Sequence, residues 1–328
     1  MNDFPDNSDD GEDVLYADDT TEVISDKDPE ALENRLQQKA NDSTQWIRDN
    51  CMLCSGDKTK LLIACTRDKK QKLKELNKTF TVEVCGKVIE ESSDEKLLGI
   101  VMSGNMLWTT HLYGNNKTGK EKIQGLIPQL SQRVGVLTQL SRLMTKAQLK
   151  SVGSGIFSSK LLYGLPLFSN VWGIPDMDDS TRRYAAYTKN DARRMQVLQN
   201  KVLRLLCSSD RNTPTTELLE RTGELSVNQL SAFHTIQTVY KVVKTQAPVY
   251  LAKKLKPRQD TGEHAFAHRL TNTIQVDYDL TNSRSGFVYR GAKLWNSLPL
   301  EIRNQQSPGK FKTAAKMWVR GRIPAKPP

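Results

Sequence analysis

The chain has 328 residues, Lys and Arg outnumber Asp and Glu by 48 to 37, and the formal net charge is +11. A mean hydropathy of −0.56, with no apolar run near the ~18 residues a membrane span needs, excludes a spanning helix. The acidic N-terminal segment lacks the basic-then-apolar pattern of a secretory signal.

Five cysteines scattered at 51, 54, 65, 85 and 207 form no disulfide framework. That fits a reducing, intracellular setting, nuclear or cytoplasmic. The length suffices for two or three domains, each with its own core. The net charge conceals an asymmetry. Residues 1–50 carry fifteen acids and four bases, a net of −11, so the remaining residues carry +22. A basic body of that size attracts polyanions.

The first element is an apolar Val14-Leu15-Tyr16 run, then Ala17-Asp18-Asp19 and Thr20-Thr21. The pattern predicts a strand–turn–strand with an Asp pair at its bend. Paired carboxylates there suit two-metal phosphoryl transfer, where they hold the ions that stabilise attacking and leaving oxygens. Asp18 is the leading ligand, with Asp19 assisting through charge or hydrogen bonding. An acidic turn in an acidic stretch (Asp9, Asp10, Glu12, Asp13) is the plainer alternative. Such sites need a further Asp from another strand, and Asp3, Asp6, Asp9 and Asp10 are too close in sequence to supply it.

Asp28 reads as an N-cap, Pro29 as the first helical residue and Glu30 as a first-turn acid. Leu32, Leu36, Ala40 and Ile47 share one face of the helix begun there, which is expected to back the sheet carrying Tyr16. Leu61–Cys65 reads as a buried strand. Residues 81–84 and 87–89 flank Cys85-Gly86 as a hairpin, and Leu97–Val101 as a further strand. Residues 1–102 thus read as an α+β unit.

From Lys120 the pattern turns helical, with Leu126, Leu130, Val134, Leu137 and Leu140 in step. Thr145 and Gln148 form a capping-box signature, and Gly153, Gly155 and Pro166 disturb the helix after it. Residues 175–180 read as a loop or domain joint. Helices come next at 190–206, from Thr213-Pro214 to Gly223, and after Ser226 with Gln229. The last carries a core stripe of Leu230, Phe233, Ile236, Tyr240 and Val243. A polar loop at 256–285 precedes a small closing helical unit built on Trp295, Leu298, Ile302, Phe311 and Trp318.

Other chemistry is weakly signalled. Cys51 and Cys54 lack the second pair a tetrahedral zinc site needs. His264 and His268 have helical spacing but no third ligand. Lys58 and Lys60 flank a Thr at a strand entrance and read equally as surface lysines.

Asn2-Asp3-Phe4-Pro5 and Leu15-Tyr16-Ala17-Asp18-Asp19-Thr20-Thr21 resemble segments of non-LTR (LINE-type) retrotransposon reverse transcriptases. The likeness continues in order through Trp46, Asn50 and Asp57-Lys58-Thr59-Lys60, then Leu97-Leu98-Gly99-Ile100. It goes on through Leu162-Tyr163-Gly164, Val171-Trp172-Gly173, Leu198-Gln199-Asn200-Lys201, Thr213-Pro214-Thr215 and the Tyr289–Pro299 segment. Ser55 and Gly56 stand where the family has Asn and Pro.

The resemblance implies a C-terminal portion of such an enzyme: a partial palm at 1–110, thumb-like helices at 111–175 and a mostly helical C-terminal domain at 176–328. It implies Mg²⁺ held by Asp18 and Asp19, Tyr16 beneath the growing strand's end, Lys58 near the nucleotide phosphates and Gly99 in a strand gripping the primer. RNA template, DNA primer and dNTPs would be the partners of the complete enzyme. The fingers and first catalytic Asp would lie before Met1, so the chain is expected to be inactive alone. A non-catalytic basic nucleic-acid-binding module, or a decayed reading frame, is the alternative.

Overall fold

The computed structural model describes residues 11–115, 122–174, 187–258, 272–276 and 286–326. The chain divides into two compact units, 1–107 and 108–328. The fold is mixed α and β: small sheets lie in the first unit and helices fill the second.

In the first unit, β1 (Glu12–Tyr16) and β2 (Asp19–Val23) form an antiparallel hairpin. Helix α1 (Pro29–Asp49) comes next, and the Asp28 carboxylate accepts from the Ala31 N–H as its N-cap. Then come β3 (Leu61–Leu62), α2 (Arg67–Glu75), β4 (Thr81–Val84), β5 (Lys87–Ser92), β6 (Asp94–Leu97) and β7 (Ile100–Ser103). The strands make three separate sheets: β1–β2, a mixed β3–β5–β4, and β6–β7.

The apolar stripe of α1 does not back the sheet that carries Tyr16. Leu32, Leu36 and Ala40 pack instead with Leu61, Phe80, Val82 and Ile89 of the three-stranded sheet. The Gln37 amide also bonds both backbone groups of Glu83, at 3.0 and 2.8 Å. One side chain thereby covers part of the edge that β4 would leave open.

Two strands differ from expectation. The segment from Leu61 leaves its pairing with β5 after Leu62, and the Cys65 N–H bonds the Gly104 carbonyl instead. A Cβ on Gly104 would sit 2.6 Å from the Ile63 carbonyl oxygen, so only glycine permits that approach. The Leu97–Val101 stretch is not one strand. Leu98 and Gly99, both at positive φ, turn the chain between β6 and β7. The Cys85-Gly86 hairpin is built the same way, with both turn residues at positive φ, the geometry that matches strand twist.

The second unit has α3 (Thr109–Tyr113), α4 (Leu126–Leu140), α5 (Lys146–Gly153), a π-helical turn at Ser154–Ser158, α6 (Ser159–Leu162) and α7 (Leu165–Phe168). After these come α8 (Lys189–Cys207), α9 (Thr215–Thr222), α10 (Val227–Thr245) and α11 (Val249–Lys254). The chain closes with α12 (Phe287–Ser297), α13 (Leu300–Arg303) and α14 (Pro308–Arg322). Capping boxes at Thr145, Thr188 and Ser226 start α5, α8 and α10. The π turn falls between Gly153 and Ser159, where the glycines disturb the helical pattern.

Two large apolar cores and a smaller cluster of Leu203, Leu218 and Leu219 lie in this unit among the described residues. One joins Leu126, Leu130, Val134 and Leu137 of α4 to Phe157, Phe168, Trp172, Met195 and Val202. The other joins Phe233, Ile236, Val239 and Tyr240 of α10 to Trp295, Phe311, Ala315 and Val319. Leu230 packs against both. The helices at 111–175 share a core with α8, and the closing helices share the α10 core. The expected joint at 175–180, most of the polar loop at 256–285, and His264 and His268 lie outside the described residues.

Candidate functional site

Tyr16 pairs with Asp19 across the β1–β2 hairpin, and Ala17 and Asp18 form the two-residue turn between them. Ala17 has φ +55°, a left-handed conformation that costs a Cβ-bearing residue roughly 1–2 kcal/mol. The strained turn sends both carboxylates outward: Asp18 and Asp19 are exposed, and Tyr16, on the same outward face as Asp19, is 64% exposed. Val14 and Val23 continue that face as exposed apolar residues.

The inward face is polar. Asp13 and Glu22 are cross-strand partners. Lys39 of α1 pairs with Asp13 at 2.8 Å, and Ser43, one turn further on, donates to the Glu22 carboxylate. Burial holds the Glu22 carboxyl above its usual range, opposed by the Ser43 hydrogen bond. The second Asp13 oxygen, Oδ1, is buried without a hydrogen-bond partner. No residue of β1 or β2 is fully buried, so this polar contact takes the place of an apolar anchor for the hairpin.

Lys58 is exposed in the turn at 56–58, where its N–H bonds the Ser55 carbonyl. Asp57 of that turn pairs with Lys87. Gly99, at φ +84°, is the second residue of the β6–β7 turn. The predicted site residues thus occupy three turns of one unit. The Tyr16–Asp19 hairpin alone brings several of them together, and no hydrogen bond or ion pair joins it to Lys58 or Gly99 among the described residues.

Two exposed carboxylates on one turn do not by themselves make a two-ion centre, which needs carboxylates from more than one strand. Among the described residues no group of three metal-ligating side chains occurs. Asp3, Asp6, Asp9 and Asp10 lie outside the described residues. Cys54 is partnered by Cys85 rather than Cys51: burial first, then the Cys85 thiol, pushes the Cys54 thiol up to about 11.

In the second unit the motif residues hold helices together. Asn228, at the start of α10, accepts from the Trp172 N–H at 3.0 Å and donates to the carbonyls of Trp172 and Pro324. Gly173, at φ +72°, lies against the Pro324 ring. Gln199 donates to the Leu225 carbonyl and Asn200 to Thr215 Oγ1, both at 2.8 Å, tying α8 to α9 and to the segment leading into α10. Buried Arg290 of α12 donates to Asn170 and to the Pro166 carbonyl. Asn296 clasps both backbone groups of Ile274 at 2.8 Å.

Cations line two surface grooves here. Arg193 and Arg194 of α8 flank one of about 340 Å³ beside Ile127 and Ser131 of α4. Arg194 also stacks over the Tyr113 ring at 5.2 Å. Lys312, Lys316 and Arg320 of α14 line a second, of about 540 Å³. Sequence reading missed the α14 row and the Asp13–Lys39–Glu22–Ser43 group. For α14, the signal was a helix whose only charged residues are basic. For the group behind the hairpin it was a Lys one position before Ala40 on an otherwise apolar face. Among the described residues no helix is long and apolar enough to cross a membrane.

No protein-family model, no curated protein and no solved structure matches the chain.

Proposed function

We propose that this chain is the rear palm, thumb and C-terminal portion of a LINE-type reverse transcriptase, an RNA-directed DNA polymerase. The observation that carries the proposal is the β1–β2 hairpin, whose turn offers Asp18 and Asp19 to solvent with Tyr16 beside them. A nucleotidyl-transfer site needs its carboxylates there, free of protein partners and open to a growing strand. The β6–β7 turn at Gly99 and the exposed turn at Lys58 lend support, as elements that could meet a primer and a nucleotide phosphate. In this reading Mg²⁺, an RNA template, a DNA primer and dNTPs are the ligands of the complete enzyme. Asp18 and Asp19 need a carboxylate from another strand to form an ion centre, and in this reading the chain alone does not polymerise. The protein is intracellular in this reading.

The test is RNA-templated extension of a DNA primer with dNTPs and Mg²⁺, run on this chain and on the product of its reading frame extended upstream. The expected result is no extension by the chain alone and extension by the longer product. Extension by neither, or by this chain alone, would overturn the proposal.

A second reading, a basic nucleic-acid-binding module without catalysis, is favoured by the +22 charge of residues 51–328. Gel shift across a salt series tests it, because phosphate contacts make affinity fall steeply with ionic strength. Absent or salt-insensitive binding counts against it.

A further inference from the structure

We infer that the outward face of α14 is a docking surface for the phosphate backbone of duplex DNA, a step that rests on the nucleic-acid reading above. Helix α14 carries Lys310, Lys312, Lys316, Arg320 and Arg322 and no acidic residue. Composition alone would be a solvated face. The arrangement adds three further points.

The first is orientation. Phe311, Ala315 and Val319 are buried in the α10 core and fix the roll of the helix. Lys312, Lys316 and Arg320 then form one row, at four-residue steps of about 6 Å along the axis. The second is order. Lys316 and Arg320 both donate to the Gly223 carbonyl, at 3.2 and 2.8 Å, at the C-terminus of α9. Cations complement the negative end of a helix, and side chains already held lose less freedom on binding a ligand. Lys312 is exposed and makes no hydrogen bond or ion pair among the described residues. The third is access. The groove of about 540 Å³ beside the row is floored by Gly223, Thr313, Met317 and Gly321, and Met317 is 72% exposed.

The row also indicates which nucleic acid fits. Trp318, the one tryptophan of α14, packs against the core, so the row offers no aromatic platform of the kind single-strand binders use to stack bases. Contact through phosphates suits a duplex, and positions a protein without specifying sequence. The wide major groove of B-form DNA admits a helix between its two phosphate rows, whereas the deep, narrow groove of an A-form RNA duplex does not.

The experiment titrates the full chain with a short DNA duplex of arbitrary sequence over a salt series. Lys312→Gln/Arg320→Gln should reduce the slope of log affinity against log salt by about two. Lys312→Gln alone, which leaves the Gly223 contacts intact, should reduce it by about one. Lys253→Gln/Lys254→Gln on α11 removes the same charge and should leave the slope unchanged. Thermal melting of each variant confirms that it is folded. Equal effects from the α14 and α11 pairs, or a wild-type slope in the α14 variants, would overturn the inference. Tighter binding to the single strand, to an RNA duplex or to anionic vesicles would also do so. A wild-type chain that binds no nucleic acid removes the underlying reading and this inference with it.

Discussion

Lys39 Nζ donates to Asp13 Oδ2 at 2.8 Å, and the two side chains are only 2% and 5% exposed. This ion pair joins α1 to the strand that leads into the Tyr16–Asp19 turn. Removing one partner of a buried pair strands the other charge in a site that cannot solvate it, at a cost of about 3–5 kcal/mol. Lys39→Met should therefore destabilise the hairpin by that amount, read as lost hydrogen-exchange protection at the β1 and β2 amides. Asp13→Leu/Lys39→Met, which removes both charges, should recover most of the loss. A loss below about 1 kcal/mol in the single variant contradicts the role given to the pair.

His111 is buried between Trp108 and Phe168, with its ring 4.8 Å from that of Phe168. Burial, then the charge of Lys160, pulls its pKa down from 6.5 to about 4. The folded pKa is depressed, so the unfolded chain takes the proton first as pH falls. Stability contributed by neutral His111 is complete above pH 6.5 and is lost as pH falls through about 4. The shift corresponds to about 3 kcal/mol. Urea unfolding of the wild type should weaken across that window, and His111→Gln should show a flatter profile. Parallel profiles would refute the assignment.

Gly291 faces Val239 where α12 crosses α10, and a Cβ there would approach Val239 Cγ2 to 2.8 Å. Gly291→Ala removes a helix-weakening glycine but overpacks the crossing, which typically costs about 1–3 kcal/mol. The expected net result is a lower melting temperature. An unchanged or higher one would mean that the crossing yields without strain.

Cys54, with its thiol pushed up to about 11, is almost wholly protonated at neutral pH. Thiolate is the alkylated species. Iodoacetamide labelling followed by peptide mass spectrometry should modify exposed Cys51 well before Cys54. Equal rates would contradict the half-buried Cys54–Cys85 arrangement.

Local chemistry made much of this fold legible. The cap at Asp28, the boxes at Thr145 and Ser226 and the stop at Gly223 arise from side chains that satisfy helix ends a few residues away. The Tyr16–Asp19 hairpin was legible because an apolar run, a bend and two acids fall within one short segment. What could not be read depends on distant partners. Whether the Leu32–Leu36–Ala40 stripe faces the first hairpin or the three-stranded sheet is decided by the fit of Phe80 and Val82. The split at Leu98-Gly99 puts positive φ on a leucine, which propensity alone disfavours. Helix α2 was passed over because its residues are mostly charged, although Thr66 caps it in the ordinary way. The polar group behind the catalytic candidates showed in sequence only as Lys39 on an apolar helix face, because Asp13, Glu22, Lys39 and Ser43 meet only once the hairpin docks.

The role proposed for the Asp18-Asp19 turn in nucleotidyl transfer is tested most directly by single-nucleotide incorporation on an RNA template. The assay uses the upstream-extended product of the proposal above and compares wild type with Asp18→Asn. Asp18 is exposed and has no hydrogen-bond or ion-pair partner among the described residues, so the substitution should leave the melting temperature unchanged. Incorporation should be abolished at that unchanged stability. Incorporation at the wild-type rate would contradict the assigned role and leave the turn an acidic bend on the surface.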